Sequence, residues 1–205
     1  DQIINYQKAE EVANLDAVEI ISSLFNELSE RERDVLMRRY GLSNDGKETL
    51  ESIGSVHNLT RERIRQIETV SIKKLQQLKN LDDYVKNLKR IILQLLEEHG
   101  GLMEKNYLLD ILASFSSNGF KTDQKIELKH KNYLNFLITK LLHSEFEEVM
   151  SSKTFLGSYK LKFQELAHLE ELAEELLSKV GEMKKILATE ELIEIINSLE
   201  SYKKH

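Results

Sequence analysis

Cysteine and proline are absent from this sequence of 205 residues, and only 8 residues are glycine. The lack of cysteine excludes a disulfide framework and a thiolate metal site, and it fits a reducing compartment. The lack of proline and the scarcity of glycine leave few residues that break a helix. Aromatic side chains, which favour strands, make up only 7% of the chain. We therefore predict a mostly helical protein.

Long apolar runs are also missing. No run approaches the roughly 18 residues of a membrane span, so we predict no membrane-spanning segment. The net charge of -6 at pH 7 argues against general affinity for nucleic acid. Any DNA binding must therefore come from a local basic face. The length suits about one to three small domains, and because the chain opens at Asp1 rather than Met we expect it to be part of a longer protein.

The stretch from Thr60 to Leu75 has the clearest helical pattern. Thr60 suits an N-cap, and at about 100° per residue two faces separate behind it. The packing face contains Ile64, Ile67, Ser71, Leu75 and Leu78. The polar face contains Arg61, Glu62, Arg65, Gln66, Thr69 and Lys73. Arg, Gln and Glu are the side chains that bind the edges of guanine, adenine and cytosine, although a solvated helix face has the same composition.

A shorter helical pattern precedes that stretch. We predict that Leu50, Ile53 and Val56 point inward and that Gly54 lies where two helices approach closely. Residues 57–59 then make a three-residue turn into Thr60. A short helix, a tight turn and a longer helix with Arg and Gln near its start form the plan of a helix-turn-helix. Between Thr60 and Lys79, six basic residues stand against two acidic ones, so a basic face is present.

Four segments in this order resemble region four of sigma-70-family initiation factors. They read Leu-Ser-Glu-Arg-Glu-Arg-Asp-Val-Leu (28–36), Arg-Tyr-Gly-Leu (39–42), Thr-Leu-Glu-Ser-Ile-Gly (49–54) and the run from Thr60 to Leu75. The part from Thr60 to Glu68 is the most specific. The chain differs from primary sigma factors at Val70, where a basic residue is usual, which weakens any transfer of activator contacts to this position. An unrelated helix-turn-helix regulator is the alternative.

The resemblance implies a reader of a promoter −35-type element. The residues that would read bases are Arg61, Glu62, Arg65 and Gln66. The residues that would hold the DNA backbone are Arg31, Arg39, Thr49, Leu50, Thr60 and Lys73. The N–H groups at a helix start bind anions, which supports Thr49 and Leu50. For Arg31 and Arg39, an exposed charge or a local ion pair is an equally good interpretation.

The pattern of residues 81–163 predicts a second module. Helices are predicted over 84–99, 108–115 and 133–142, followed by strand, turn and strand from Phe146 to Phe163. Three helices and a hairpin make a winged helix, and this part weakly resembles the winged-helix module of the RNA polymerase delta subunit and the HARE-type domain. Its basic residues suit DNA contact and equally an ordinary solvated face; they are Lys129, His130, Lys131, Lys140, Lys153, Lys160 and Lys162.

The segment 164–205 is an acidic, helical tail that echoes the module before it. The pattern of Leu95–Met103 and Leu108–Leu112 recurs in Leu176–Met183 and Leu192–Ile196. The tail is either the opening of a second winged helix, with Thr189 as a helix N-cap, or a pair of amphipathic helices that align by chance. We expect its apolar faces to pack on residues 84–163 or to pair with a second copy of the chain, which would give a homo-oligomer.

Catalytic chemistry has little support in the sequence. Asp110 with Glu127, and His57 beside Asn58, are faintly typical of nucleases, but they lack the supporting strand and the ligand spacing of a metal site. The 6 His residues show no zinc pattern. We therefore predict no catalytic residue, no metal, no cofactor and no enzymatic activity.

The sequence as a whole predicts a mainly α protein with four parts. These are a linker over 1–16, a sigma region-four-like helix-turn-helix domain over 17–80, a winged helix over 81–163 and the acidic tail over 164–205. The resemblance to sigma factors implies that it binds double-stranded promoter DNA at the nucleoid in the bacterial cytoplasm, with its scaffold on the flap of the RNA polymerase beta subunit. The alternative is a sigma-like protein-interaction module that binds RNA polymerase or an anti-sigma partner without reading promoters.

Overall fold

The computed structural model describes residues 16–43, 46–116, 124–153, 155–183, 187–199 and 202. Most of these residues are helical, so the predicted mainly α class is confirmed. The chain divides into two compact units. The first contains the residues up to Val149 together with Ser158–Lys162, and the second contains Met150–Gly157 and the residues from Phe163 onward. The predicted linker, apart from Asp16, lies outside the described residues.

Two helices begin the described part of the first unit, and side chains cap both of them. Helix α1 spans Ala17–Phe25, and the Asp16 carboxylate accepts hydrogen bonds from the first-turn N–H groups. Helix α2 spans Glu30–Tyr40 and begins at a capping box. There the Ser29 N–H donates to Glu32 Oε2 at 2.7 Å, and Ser29 Oγ accepts from the Glu32 N–H. The helix ends at Gly41, which has a left-handed φ of 63° that favours glycine.

Helices α3 (Leu50–His57) and α4 (Arg61–Gln76) form the predicted helix-turn-helix. Their core consists of the buried residues Val35, Leu50, Ile53 and Ile64, with Leu59 and Ile67 packed against it. The predicted packing face of α4 is buried at Ile64, Ser71 and Leu75. One detail was wrong: Val56 is 52% exposed. It lies about 60° beyond Ile53 around the helix, and the side chain in that turn that faces the protein is His57 instead.

The rest of the first unit contains three helices and a small sheet. The elements are α5 (Leu81–Glu98), β1 (Leu102–Glu104), α6 (Lys105–Ser116), α7 (Gln124–Phe136), a π-helical turn (Leu137–Leu141), β2 (Phe146–Val149) and β3 (Ser158–Leu161). The sheet is antiparallel in the order β1-β3-β2, with Tyr159 opposite both Met103 and Glu148. The helices and the hairpin follow the predicted order. Strand β1 was missed, because three residues are too short to show an alternating pattern.

The hydrophobic core runs across the module boundary that we predicted between residues 80 and 81. Phe136 is fully buried, and its ring packs edge-on against Phe25 at 5.9 Å and Tyr40 at 4.9 Å between centroids. The Asn132 side chain donates to the Gly41 carbonyl oxygen at 3.0 Å. The core draws on α1, α2, the end of α4 and α5 to β3, and its members include Ile21, Leu24, Phe25, Leu28, Leu36, Leu42, Leu75, Leu88, Ile92, Leu96, Leu108, Leu112, Tyr133, Leu134, Phe136, Leu137, Ile138, Phe146 and Tyr159. Helices from both predicted modules therefore share one packed interior.

The second unit contains helices α8 (Ala167–Met183) and α9 (Thr189–Ser198). None of the described residues of α8 is buried, and Leu177 is 56% exposed. The predicted cap at Thr189 was off by one residue. The Glu191 carboxylate accepts a hydrogen bond from the Ala188 N–H at 3.0 Å, so Ala188 is the N-cap and Thr189 begins the helix. Among the described helices of both units, none combines the length and the apolar composition needed to cross a bilayer.

Candidate nucleic-acid interface

The polar face of α4 is open to solvent from Arg61 to Lys73. Arg61, Glu62, Arg65, Gln66, Thr69 and Lys73 are all exposed. Thr60 caps the helix as predicted, and its hydroxyl accepts a hydrogen bond from the Arg63 N–H at 3.2 Å. The residues that we predicted as base readers therefore lie together on the first two turns of the second helix of a helix-turn-helix, which is the helix that enters the DNA major groove in such motifs.

The charged side chains of this face are paired with one another. Arg65 forms two hydrogen bonds to the Glu62 carboxylate, at 2.8 and 2.7 Å. These bonds hold the pKa of Glu62 below its usual value and raise the pKa of Arg65, so both groups stay ionised. Arg61 pairs with Glu51 at 3.1 Å. Exposed pairs of this kind are screened by water and contribute little to stability, so exchanging them for contacts to bases costs little.

Helix α3 presents its N-terminus beside this face. Thr49 is the N-cap, and its hydroxyl accepts from the Ser52 N–H at 3.2 Å. The other N–H groups of the first turn have no helical acceptor and suit an anion such as phosphate. The Leu50 side chain is buried in the helix-turn-helix core. Only the backbone of Leu50 is therefore available to DNA.

The remaining residues that we predicted to contact the DNA backbone have different surroundings. Arg39 donates to the Glu48 carbonyl oxygen at 3.1 Å and lies 3.5 Å from the Glu68 carboxylate. Arg39 therefore makes a local ion pair in this structure, and its contact with the DNA backbone stays a prediction. Arg31 is exposed and lines a cavity of about 230 Å³ with Arg63, Gln66, Val70 and others. Lys73 is exposed and makes no ion pair within the described part of the chain.

The turn between α3 and α4 is held by side chains that come from other parts of the chain. The Nε2 atom of His57 lies 2.8 Å from an Asp34 carboxylate oxygen, which also accepts a hydrogen bond from Arg38 at 2.9 Å. Arg38 donates in addition to Glu48, and bonds from Ser52 and Arg38 hold the pKa of Glu48 below its usual value. The sequence analysis missed this network. Its partners are up to 23 residues apart, so no local pattern connects them.

Gly54 makes the close approach that we predicted, but to the turn rather than to a helix. A Cβ atom at this position would lie 2.6 Å from the Leu59 carbonyl oxygen. Asn58 closes α3 in a left-handed conformation, with a φ of 53°. Both residues therefore set the angle between α3 and α4.

Helix α7 is packed between other helices of the first unit. It packs against α6 on one side and against α1 and α2 on the other, with Tyr133, Leu134 and Phe136 buried. Several of the basic residues predicted here as alternative DNA contacts are also engaged. Lys131 pairs with Asp110 at 2.5 Å and with Glu127 at 2.7 Å, and Lys160 pairs with Glu147 at 3.2 Å. These pairs engage two of the predicted basic residues, and DNA contact by this part of the chain stays a prediction.

Three of the side chains named above for nuclease chemistry pair with other side chains in the structure. Asp110 and Glu127 both bind Lys131, as described above, and His57 binds Asp34. Within the described ranges, no group of three or more His, Asp and Glu side chains is arranged to hold a metal ion. These contacts account for the positions of the three side chains.

Comparison with known proteins identifies the helix-turn-helix. Residues 24–77 match the family model described as sigma-70, region 4. The RNA polymerase sigma factor SigA of Nostoc sp. is 52% identical over 58 residues, which is 28% of this chain and 15% of that protein. RpoD of Helicobacter pylori is 51% identical over 57 residues, 27% of this chain and 8% of the relative. RpoS of Coxiella burnetii is 40% identical over 77 residues, 38% of this chain and 21% of the relative.

These matches confirm the resemblance that the sequence motifs indicated. The family match ends at residue 77, before α5 begins. It therefore does not cover the three helices and the sheet that follow, whose resemblance to the delta subunit and HARE-type domains stays a prediction. The chain also spans a small part of its relatives, between 8% and 21% of the three named above.

Proposed function

Because residues 24–77 match region 4 of sigma-70 factors, we propose that this chain reads a promoter −35-type element and acts with RNA polymerase in bacterial transcription initiation. The observation that carries the proposal is the α4 face, where Arg61, Glu62, Arg65 and Gln66 are all exposed on the second helix of a helix-turn-helix. This work takes place on double-stranded DNA at the nucleoid in the cytoplasm. The matched family is a DNA-binding one, and we propose no enzymatic role.

The geometry suggests how this face exchanges partners on DNA. Arg65 presents two donors to Glu62 in the same fork arrangement that guanine O6 and N7 require. When the face enters the major groove, Arg65 turns to guanine and Glu62 accepts from a cytosine amino group. Gln66 suits adenine, and Arg61 a further guanine. The DNA backbone is then held from both sides of the groove by the Thr49 and Thr60 caps, the Leu50 N–H, Lys73, Arg31 and Arg39.

RNA polymerase supplies the affinity that the chain lacks. A net charge of -6 repels DNA at long range, and the basic face offsets this only locally. We propose that the scaffold helices dock on the flap of the polymerase beta subunit. The alternative function, favoured by the mutual pairing of Arg65 and Glu62 in the free protein, is a sigma-like module that binds polymerase or an anti-sigma partner without reading promoters.

Selection of DNA from a random pool separates the two functions. The whole chain, with core RNA polymerase, is expected to enrich one sequence motif, and Arg65→Ala is expected to relax the choice at one position of it. A good bidentate base contact carries about 1–3 kcal/mol of discrimination, or roughly 5- to 150-fold. Binding titrations on the selected site and on single-base variants measure the change.

Lys73→Ala is the matched control for Arg65→Ala, since it removes one positive charge from the same face. It should weaken all sequences alike and reduce the salt dependence, because a phosphate contact carries no base information. Full sequence preference in Arg65→Ala would contradict base reading by this residue. Failure of the wild-type chain to enrich any motif would favour the protein-interaction module.

We also propose that the second unit pairs with a second copy of the chain. Leu177, Met183 and Ile193 are 45–56% exposed on α8 and α9, and leaving such side chains in water forfeits roughly 1.5–3 kcal/mol each. The segment from 164 to 200 holds ten glutamates against three lysines, so DNA is an unsuitable partner for it.

Truncation after Phe163 tests this role of the tail. We expect the shortened chain to keep its DNA sequence preference, with equal or stronger binding because acidic charge is removed, and to lose self-association. Sedimentation velocity of the full and the truncated chains measures the oligomeric state. An unchanged state after truncation would mean that the tail is not the pairing surface.

A further inference from the structure

The last turn of α4 continues its polar face into the second half of the unit. Counted at about 100° per residue from Arg61, Gln76 lies near 60°, between the positions of Arg65 and Thr69. The Gln76 side chain donates to the Lys140 carbonyl oxygen at 2.6 Å and lies 3.4 Å from His143 Nδ1. The end of the π-helical turn and the residues after it therefore border the face that would contact DNA.

A basic side chain stands next to this junction. Lys162 is exposed, and its ammonium group donates to the His143 carbonyl oxygen at 2.9 Å. One of its three donors is used in this way, and in the described part of the chain no carboxylate pairs with it. His143 is exposed as well. Gln76, His143 and Lys162 thus form a polar group, which we call the α4-end cluster.

An acidic side chain close to His143 in the chain is already paired with a lysine. Glu145 follows His143 by two residues, and its carboxylate pairs with Lys89 and accepts a hydrogen bond from Ser144. Partial burial alone would raise the pKa of Glu145, but the bonds from Lys89 and Ser144 outweigh it and lower that pKa. The Lys162 charge is therefore not cancelled by this neighbour.

Helix geometry puts the cluster at the rim of the DNA groove. At 1.5 Å per residue, the 11 residues from Arg65 to Gln76 span about 16 Å. The major groove is only about 12 Å wide. If the axis of α4 crosses the groove and its first two turns reach base edges, the last turn has left the groove and lies over the flanking sugar-phosphate backbone. The chemical group that meets the α4-end cluster there is a phosphate.

We propose that the α4-end cluster is an additional DNA-backbone site, in which Lys162 and His143 bind a phosphate that flanks the sequence read by α4. The inference rests on the proposed function, because it places DNA on the α4 face. In this arrangement the part of the chain after residue 80 takes no part in base reading. It adds a contact to the DNA backbone at one edge of the groove, made by the end of β3 and by the segment that follows the π-helical turn.

The test uses the whole chain and a duplex that carries the sequence selected from the random pool. In fluorescence anisotropy titrations over a range of salt concentrations, Lys162→Ala is expected to lower affinity for every sequence alike. The slope of log K against log salt should fall by about 0.9 for one lost phosphate contact. Lys162→Arg should keep both the affinity and the salt slope of the wild type. A hydroxyl-radical footprint should lose protection at one edge in Lys162→Ala and keep it elsewhere.

Lys86→Ala provides the matched control. Lys86 is exposed on α5, and its removal makes the same change in net charge. The inference is overturned if Lys162→Ala and Lys86→Ala have equal salt slopes, or if Lys162→Ala binds more tightly than the wild type. His143→Ala should lose protection at the same edge as Lys162→Ala. If the wild-type chain shows no sequence preference while Lys162→Ala still flattens the slope, the proposed function fails and the phosphate site stands.

Discussion

Replacement of Phe136 by alanine is expected to destabilise the helix-turn-helix and the three-helix part together, by about 3–5 kcal/mol. The Phe136 ring is fully buried and contacts Phe25 of α1 and Tyr40 of α2. Its removal leaves a cavity between helices from both predicted modules, and close-packed interiors collapse into such cavities only in part. The loss should therefore appear on both sides of the shared core.

Urea unfolding followed by circular dichroism and by DNA binding measures this loss. Both signals should move to lower urea concentration by the same amount, because one core serves both parts. Phe163→Ala is the matched control: it deletes the same ring where the side chain is 89% exposed, and we expect little change. If DNA binding in Phe136→Ala survives at urea concentrations that unfold the three-helix part, the two parts are independent.

Gly54→Ala is expected to destabilise the protein and to abolish selective DNA binding. The new Cβ atom would lie 2.6 Å from the Leu59 carbonyl oxygen, which belongs to the backbone and cannot rotate away. Forced shifts of this kind cost about 1–3 kcal/mol, and here the shift changes the angle between α3 and α4. Thermal unfolding measures the first effect, and binding to the selected duplex measures the second.

Gly181→Ala is the control for this substitution, and its effect should have the opposite sign. Gly181 lies in α8, where an added Cβ atom would meet no side chain or neighbouring element within 4 Å among the described residues. Alanine is favoured over glycine in a helix by about 1 kcal/mol, so stability should stay equal or rise. Equal stability of Gly54→Ala and the wild type would show that the α3–α4 turn adapts, and that the angle is not set by this glycine.

Those features that depend on neighbours three or four residues apart could be predicted from the sequence. The capping box of Ser29 and Glu32, the Thr49 and Thr60 caps and the buried stripe of α4 are of this kind, because helix geometry alone brings such residues together. The exposure of Arg61, Glu62, Arg65 and Gln66 follows from the same periodicity. Gln76 lies on the same face and was overlooked, although the count of about 100° per residue that puts Lys73 on this face also puts Gln76 there.

Features that depend on distant partners could not be predicted in this way. Arg39 is held by Glu68 from α4, and Lys131 is held by Asp110 from α6, and local spacing identifies neither partner. Val56 was assigned inward because periodicity does not say which of two adjoining positions, Val56 or His57, meets a partner such as Asp34. The short strand β1 exists only through its pairing with β3.

The sequence by itself determined the helical class, the helix-turn-helix and the residues of its polar face, since each depends on local spacing along a single helix or turn. Only the tertiary structure decided that Phe136 joins α7 to α1 and α2 in one core, and that Lys162 stands beside the end of α4. The physical reason is that these contacts connect residues far apart in the chain. Their formation depends on how whole helices pack, and no periodicity within a segment records it.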